Sequence, residues 1–202
     1  FLASIDELVR VDRDWVPTGE EQSLYLRPFA FARSAFLAVK PSTSVTYAVI
    51  ASPSGSYFGG SGVTPVDIWF STEFSRAAPG GTGFAKCGGN YAASMLAQAE
   101  AEANGCSQVG FVDAVEHRYV EELGGMNLFA VTAAGELVTP KLTDTILEGV
   151  TRSAILRLAG DAGLAVVERR ITLDELLAGI DDGAVTEVFA CGTAAVITPV
   201  GS

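Results

Sequence analysis

Basic residues and histidine are scarce in this chain of 202 residues. It has 13 Lys and Arg against 24 Asp and Glu, a single histidine, and a formal net charge of −11 at pH 7. This surplus of negative charge repels phosphate backbones and anionic headgroups. We therefore expect no nucleic acid and no membrane surface among the partners of the protein.

Long apolar runs, a leader and a cysteine framework are also missing. No apolar stretch reaches the roughly 20 residues that a membrane-spanning helix needs. The chain opens without an initiator Met or a basic segment, so we recognise no signal peptide and expect a fragment that lacks both ends. Cys87, Cys106 and Cys191 are too few and too scattered for a disulfide framework, which favours a reducing, cytoplasmic compartment. With His117 alone and no Cys-x-x-Cys motif, we expect no metal site.

The sequence is rich in apolar residues, at 49%, which is enough for a large core. A stretch rich in Gly, Ser and Pro at 53–65 predicts a loop between two domains, 1–52 and 66–202. Strands alternate with helices after that loop, so we expect a mixed α/β or α+β fold with a substantial sheet. Helices are predicted at 4–15, 90–104, 151–162 and 174–180, and strands at 23–29, 46–52, 66–70, 108–112, 128–132, 166–171 and 186–190.

Three helix starts carry capping signals. Ser4 with Glu7 three residues later predicts a capping box for the first helix. Asn90 and Thr172 are the predicted N-caps of the helices at 90–104 and 174–180.

A glycine-rich segment, PGGTGFAKCGGNY at 79–91, surrounds Lys86. It fits neither a P-loop, which needs Gly-Lys-Ser/Thr, nor a GxGxxG fingerprint. Small neighbouring side chains suit a lysine that must reach a cofactor aldehyde. A lysine that forms a Schiff base also needs a lowered pKa, which burial or a nearby cation provides. A flexible loop is the alternative interpretation.

Two adjacent carboxylates, Glu121 and Glu122, precede a Gly-Gly turn in the segment YVEELGGMN at 119–127. In an extended segment they face opposite ways, so that one can be exposed to solvent while the other points inward. A pyridinium nitrogen is a partner that would keep an inward carboxylate ionised. The alternative is that both lie on a solvated surface.

Two further segments suit an anion. Gly149, Val150 and Thr151 lie where the helix at 151–162 begins, and the free N–H groups of a first helical turn bind anions. Gly192 and Thr193 follow a predicted strand and offer N–H groups and a hydroxyl. An ordinary helix start and an ordinary turn are the alternatives.

Four runs, GGTGFAKCGGNYAAS, EHRYVEELGGMNLF, TILEGVTR and EVFACGTAAVITPV, occur in this order, and their order and spacing resemble the branched-chain amino-acid aminotransferases. These are pyridoxal-phosphate (PLP) enzymes of fold type IV. The likeness extends from LYLRPF near the start to the last residues. It implies a two-domain fold in which 1–52 ends the small domain, 53–65 is the interdomain loop and 66–202 is a truncated large pseudo-barrel domain.

The resemblance implies roles for residues around the cofactor ring. Lys86 matches the Schiff-base lysine, which also shuttles the proton between substrate and cofactor. Tyr91 matches the tyrosine that bonds the phenolic oxygen. Glu122 matches the glutamate beside the pyridine nitrogen, whose protonation strengthens the electron sink.

Further cofactor contacts are implied by the same resemblance. Leu147 matches the residue that packs on the ring, and Val150 and Thr151 match the amides that hold the phosphate. Thr193 matches a hydroxyl that also contacts the phosphate. Arg76 resembles an arginine near the cofactor.

The substrate side is implied by residues in the first domain. Tyr25 and Arg27 resemble the pocket residues of the family, whose arginine helps to accept the second carboxylate of glutamate. Tyr57 resembles the pocket tyrosine of the interdomain loop. Val39 lies where an apolar residue reaches into the pocket of the partner subunit, so a homodimer is implied.

Two positions near the substrate carboxylate are implied by the motifs of the large domain. Ala194 matches an amide near that carboxylate. Gly125 stands where many members have a threonine, so backbone N–H groups or water must replace that hydroxyl. Ala195 and Thr198 occupy the places of a Cys-x-x-Cys pair found in some members, so no thiol switch is expected.

The implied activity is transamination between Leu, Ile or Val and 2-oxoglutarate, with ping-pong kinetics. Within the same fold, the alternative is a D-amino-acid aminotransferase or an aminodeoxychorismate lyase. The non-enzymatic alternative is a truncated chain without activity. The last rests on two expected losses: an arginine-bearing phosphate-binding segment before Phe1 and the end of the large domain after Ser202. The sequence does not rank Leu, Ile and Val, because one methylene is worth only about 1–3 kcal/mol in an apolar pocket.

Overall fold

The computed structural model describes residues 1–19, 22–55 and 64–202. The chain divides into two compact units, Phe1–Ser61 and Gly62–Ser202. This division lies within the predicted loop 53–65. The described strands and helices confirm the predicted mixed α/β composition.

The described residues of the first unit form one α-helix and one β-hairpin. Helix α1 spans Leu2–Val11, and a single 3₁₀ turn follows at Arg13–Trp15. Strands β1, Ser23–Ala32, and β2, Val45–Ser54, pair antiparallel over their full length. Both strands are longer than predicted, because the pairing continues through residues that lack a clear hydrophobic alternation.

The predicted capping box at the start of α1 is wrong. The helix begins with Phe1 as its N-cap, because the carbonyl of Phe1 already accepts hydrogen bonds from the amides of Ser4 and Ile5. The Ser4 hydroxyl also donates to that carbonyl, at 2.6 Å. Glu7 instead pairs with Arg10, three residues on, whose Nε lies 2.8 Å from Oε2.

The second unit combines strands and helices. Its helices are α2, Gly88–Ala103, α3, Val150–Asp161, and α4, Leu173–Asp181. Its strands are β3, Ile68–Ser71, β4, Gln108–Val112, β5, Val120–Leu123, β6, Asn127–Thr132, β7, Glu136–Pro140, β8, Ala165–Arg169, β9, Val185–Gly192, and β10, Val196–Pro199.

These strands form one branched sheet around β6. The main order is β10-β9-β6-β5-β4-β3, in which only the β3–β4 pair is parallel. β9 pairs along the whole of one edge of β6. β5 pairs with β6 at Asn127, and β7 pairs with it at Ala130 and Val131, so these two strands share the other edge. β8 then adds to β7 in parallel.

The two ends of this strand order meet. The amide of Val66 donates to Pro199 O at 3.0 Å, and the amide of Gly201 donates to Val66 O at 2.9 Å. The amide of Ile68 donates to Ser202 O at 2.9 Å. The residues after β10 therefore pair with those that lead into β3, which closes the path and covers an edge that would otherwise be open.

The core lies between the sheet and two helices. α2 packs on β4 through a buried cluster of Ala97, Ala101, Val109 and Phe111. α3 packs behind β6 and β9 through a second cluster, in which the rings of Phe129 and Phe189 stack with centroids 5.1 Å apart. Within the described ranges, no helix is long and apolar enough to cross a membrane.

Three strands, β5, β7 and β10, were not among the predicted ones. The sequence of β5, VEEL, places two carboxylates side by side and so hides the alternation of a strand. All four of its residues are nevertheless buried, because β5 lies between β4 and β6. Tertiary position decides this element rather than local propensity.

The helices of the second unit match the predictions closely, except at one cap. Thr172 caps α4 as predicted, since its hydroxyl accepts the amide of Glu175 at 3.0 Å. The prediction for Asn90 is wrong: α2 begins at Gly88 with Cys87 as its N-cap. Asn90 lies inside the first turn, where its side chain is buried.

Candidate active site

Lys86 lies in the loop between β3 and α2, two residues before the helix begins. Tyr91 is the fourth residue of α2, so one helical turn brings its ring back beside the loop. The Nζ atom of Lys86 donates to the Tyr91 hydroxyl at 2.8 Å and lies 4.9 Å from the ring centroid. Lys86 itself is exposed, which leaves its amine accessible to a ligand.

Asn90 holds the loop that carries Lys86. Its Nδ2 donates to Thr82 O at 2.7 Å and to Ala85 O at 2.8 Å, and its Oδ1 accepts the Thr82 hydroxyl at 2.9 Å. These bonds fix the backbone immediately before Lys86. Sequence reasoning missed this role; the available signal was an amide side chain at the end of a glycine-rich loop, and the favourable N-cap interpretation concealed it.

Glu122 lies in β5 with only 2% of its surface exposed. Its Oε1 accepts the amide of Leu147 at 2.7 Å and lies 3.1 Å from Nη2 of Arg76. Burial raises the pKa of Glu122 to about 7, although Arg76, the Leu147 amide and the charge of Lys86 each act to lower it. Burial therefore outweighs these three neighbours, and the carboxyl holds its proton more tightly than a free glutamate does.

Arg76 is as deeply buried as Glu122, at 3% exposure. Its Nη1 donates to Thr145 O at 2.9 Å and its Nη2 to Gly83 O at 3.3 Å, so the guanidinium joins the Lys86 loop to the segment before α3. Its Nε is buried without a hydrogen-bond partner among the described residues. The arginine predicted to lie near the cofactor thus contacts Glu122 directly.

Glu121 faces away from Glu122, as adjacent strand residues do. It is not exposed to solvent, because it is 8% exposed and accepts a hydrogen bond from the Thr145 hydroxyl. Burial raises its pKa as well. The interpretation in which one or both carboxylates are solvated is wrong, because β5 is covered on both faces.

The start of α3 has free donors. Gly149 is its N-cap in an extended conformation and provides no side-chain cap, and the first turn contains no acidic residue. Val150 is 82% exposed and Thr151 is half-buried. The amides of this first turn therefore remain available to an anion.

The turn between β9 and β10 carries Thr193 and Ala194, both exposed. It lies beside the β5–β6 turn, because a Cβ placed on Gly192 would be 3.6 Å from Gly125 O. A Cβ on Gly125 would in turn be 3.9 Å from Cε1 of Tyr91. The two turns and the tyrosine are therefore close neighbours.

One group of predicted residues is thus brought together in the second unit. Lys86 contacts Tyr91, Tyr91 lies by Gly125, and Glu122 contacts both Arg76 and Leu147. Val150 and Thr151 follow Leu147 closely along the chain. Thr193 and Ala194 follow Gly192, which lies beside Gly125 in space.

The predicted substrate residues of the first unit form a separate group. Tyr25 and Arg27 share one face of β1, where Nη2 of Arg27 donates to the Tyr25 hydroxyl at 3.1 Å and its guanidinium lies 5.1 Å from the ring centroid. Val39 is fully exposed between β1 and β2. Tyr57 lies outside the described residues.

Within the described part of the chain, no group of three or more His, Cys, Asp or Glu side chains is arranged to hold a metal ion. The chemistry of the site is instead that of an amine beside a phenol, a buried carboxylate beside a guanidinium, and an uncapped helix start.

The chain is similar to known branched-chain aminotransferases. A branched-chain-amino-acid aminotransferase of Mycobacterium tuberculosis (strain CDC 1551 / Oshkosh) is 58% identical over 204 residues, which cover 99% of this chain and 55% of that protein. The solved branched-chain aminotransferase of Thermoproteus uzoniensis with norvaline has a TM-score of 0.81 at 32% identity, covering 98% of this chain and 61% of that one. The branched-chain amino acid aminotransferase of Thermobaculum terrenum, solved in its PLP form, has a TM-score of 0.77 at 29% identity, covering 97% and 59%.

The resemblance drawn from the motifs is confirmed by these matches. The chain spans about half the length of the curated relatives it matches. A family model described as amino-transferase class IV matches residues 1–202. Because that match covers the whole chain, the chain belongs to the class IV aminotransferases.

Proposed function

We propose that the protein is a pyridoxal-phosphate-dependent aminotransferase that exchanges amino groups between branched-chain L-amino acids and 2-oxoglutarate. The observation that carries the proposal is the pairing of Lys86 with Tyr91, at 2.8 Å. The loop that carries Lys86 is bonded through Gly83 O to Arg76, which pairs with the buried Glu122. The names of the relatives support the substrate class.

The side chains fit the cofactor group by group. An accessible amine, Lys86, suits an aldehyde, and the Tyr91 hydroxyl suits a phenolic oxygen. The Glu122 carboxylate suits a protonated ring nitrogen, and the amides at Val150 and Thr151 suit a phosphate. When bound, the cofactor supplies an aldehyde and a ring that withdraws electrons from the substrate.

Lys86 holds and moves a proton in this proposal. Its amine is positioned by Tyr91 and by the loop that Asn90 fixes, so it has one defined approach to the substrate. It would take the proton from Cα of the amino acid and pass it to C4′ of the cofactor, and it would move a proton from C4′ to Cα in the second half-reaction. Because one site serves both substrates in turn, ping-pong kinetics are expected.

Glu122 holds the proton of the ring nitrogen. Leu147 and Arg76 engage its Oε1, whereas Oε2 has only a 3.5 Å contact with Asn127 among the described residues. We assign Oε2 as the oxygen that faces the ring. Arg76 lowers the pKa of Glu122 against the larger effect of burial, and so favours the ionised form that a protonated ring nitrogen needs.

The proposal also assigns substrate-binding roles. Arg27, supported by Tyr25, accepts the second carboxylate of glutamate, as a guanidinium pairs with a carboxylate. The role proposed for Tyr57, which lies outside the described residues, is that of the pocket tyrosine, and the role proposed for Val39 is to reach into the pocket of the other subunit. Gly125 and Ala194 offer backbone N–H groups to the α-carboxylate.

We further propose a cytoplasmic homodimer. Cys87, Cys106 and Cys191 are free thiols in the structure, which agrees with a reducing compartment. The fully exposed Val39 supports an apolar contact with a partner subunit.

Cofactor attachment is tested by reduction and peptide mapping. The complete protein is incubated with pyridoxal 5'-phosphate, reduced with borohydride and digested, and we expect the pyridoxyl group on Lys86. The chain contains two other lysines, Lys40 and Lys141, whose alanine variants serve as controls and should still be labelled at Lys86. A label on either of them would contradict the proposal.

Substrate class is tested with a donor panel. We expect Leu, Ile and Val to support transfer to 2-oxoglutarate, and Asp and the D-isomers to be poor donors. Faster transfer from D-alanine than from L-leucine would instead support the D-amino-acid aminotransferase alternative.

A further inference from the structure

Asn127 faces Glu122 across the β5–β6 hairpin. The two residues are register partners, so their side chains lie on the same face of the sheet. The register is fixed by the tight turn at Gly124 and Gly125, where the amide of Leu123 donates to Met126 O at 2.9 Å. Asn127 is 6% exposed, and a polar side chain this deeply buried needs hydrogen-bond partners.

The amide of Asn127 completes a grip on one residue of the backbone. Its Nδ2 donates to Leu147 O at 3.0 Å and lies 3.5 Å from Oε2 of Glu122. Glu122 accepts the amide of the same Leu147 at 2.7 Å. The N–H and the C=O of Leu147 are thus held by two side chains of one hairpin. Both neighbours of Nδ2 are acceptors, which fixes the orientation of the amide group.

The other atom of the amide reaches the start of α3. A Cβ on Gly149 would lie 2.3 Å from Oδ1 of Asn127, a distance that no real side chain tolerates. Gly149 is the N-cap of α3, followed at once by Val150 and Thr151. Asn127 therefore packs against both ends of the segment 147–149 that joins the carboxylate site to the helix start.

We propose that Asn127 is a positioning residue that fixes the spacing between the Glu122 carboxylate and the phosphate-binding start of α3, an inference that rests on the proposed function. The two ends of the cofactor bind to these two places, so their separation must be set before binding. If the segment 147–149 is already rigid, cofactor binding does not have to order it, so less conformational entropy is lost on binding. Neither Leu147 nor Gly149 has a side chain that performs this task.

The first test measures cofactor affinity. Pyridoxal 5'-phosphate is titrated into the cofactor-free complete protein, and binding is followed by absorbance. We expect Asn127→Ala to weaken binding about 10-fold, the effect of one lost hydrogen bond with its partner left buried. Asn127→Asp keeps the size but removes the donor to Leu147 O, and should weaken binding at least as much. The matched control is Asn104→Ala, an exposed residue whose Nδ2 also donates to a backbone carbonyl, Glu100 O at 2.9 Å, and it should change nothing.

The second test separates positioning from general stability. With cofactor saturating, the KM for leucine should stay within about twofold of wild type in Asn127→Ala, since the substrate contacts are intact. Gly149→Ala should weaken cofactor binding strongly, and Asn127→Ala should relieve part of that loss in the double variant, because the clashing oxygen is gone. Thermal melting of each cofactor-free variant identifies any that does not fold. The variants that do fold then test the role of Asn127.

Failure of the inference is distinct from failure of the proposed function. If the wild-type protein does not bind the cofactor at Lys86, the proposed function is wrong. If it does, but Asn127→Ala and Asn127→Asp bind the cofactor as wild type does, or the double variant shows purely additive losses, the role given to Asn127 is overturned.

Discussion

The two units of the chain differ in how deeply they bury their side chains. None of the described residues of the first unit is buried, and Phe31 on β1 is 51% exposed. In the second unit Phe129 is fully buried, together with the charged side chains of Arg76 and Glu122. A buried ion pair needs a rigid core to hold its geometry, whereas the contact between Arg27 and Tyr25 needs only a strand surface.

This difference indicates which unit holds its functional side chains at fixed distances. Proton chemistry depends on fixed distances and on a low dielectric, and the residues proposed for it lie in the well-packed second unit. Substrate discrimination tolerates adjustment, and the residues proposed for the second carboxylate lie on the exposed hairpin. A two-stranded hairpin is marginally stable by itself, so the first unit is expected to be the softer one.

The largest expected effect concerns the cores. Phe129→Ala should lower the free energy of unfolding of the second unit by about 3–5 kcal/mol, because it removes a fully buried ring that stacks on Phe189. Phe31→Ala, on the exposed strand, should cost less than about 1 kcal/mol. Urea unfolding followed by circular dichroism measures both. Equal losses of unfolding free energy would contradict the inferred difference in packing between the two units.

The next effect concerns the two adjacent carboxylates. Glu122→Gln should lower the transamination rate by about 100-fold or more, because the ring nitrogen loses its anionic partner. Glu121→Gln should have a much smaller effect, since Glu121 faces Thr145 on the other side of β5. Steady-state rates with leucine and 2-oxoglutarate decide, and similar losses from both variants would count against the assignment.

The buried carboxylate also predicts a dependence of stability on pH. Burial raises the pKa of Glu122 from 4.5 to about 7, so the folded protein holds that proton more tightly than the unfolded chain. The resulting stabilisation is complete below pH 4.5 and is lost as the pH rises through about 7. Relative to Glu122→Gln, the cofactor-free wild type should therefore lose roughly 2 kcal/mol between about pH 5 and about pH 8.

The control for this measurement is Glu148→Gln, at an exposed position of the segment that precedes α3. Urea midpoints at the two pH values should move in parallel for this variant and the wild type. A constant difference between the wild type and Glu122→Gln would show that Glu122 does not titrate in this range.

The smallest expected effect on stability is at the hairpin surface. Arg27→Gln should change the free energy of unfolding by no more than about 0.5 kcal/mol, as exposed substitutions usually do. It should nevertheless raise the KM for 2-oxoglutarate more than the KM for leucine, because only the former carries a second carboxylate. Equal changes in both KM values would remove Arg27 from its proposed role.

Much of the fold followed from local signals. The strand at 108–112 and the helices α2, α3 and α4 were predicted within two residues at each end, because apolar periodicity and glycines beyond the helix ends mark them. Gly105 and Gly163, each left-handed with a φ of +81°, lie just beyond the ends of α2 and α3. The branching of the sheet at β6 was not foreseen, since pairing partners are distant in sequence.

The sequence by itself determined the family and singled out Lys86 and Glu122 as candidate site residues. The reason is that the glycine-rich loop around Lys86 and the EELGGMN run are each an unbroken stretch of sequence that carries its chemistry locally. Tertiary structure alone decided that β5 is buried on both faces and that Arg76 pairs with Glu122. It also decided that Asn90 holds a loop instead of capping α2, and that Asn127 holds the backbone at Leu147. Each of these depends on groups brought together from distant parts of the chain. Burial then sets their protonation and their hydrogen bonds, and the local sequence does not show that these polar side chains are buried.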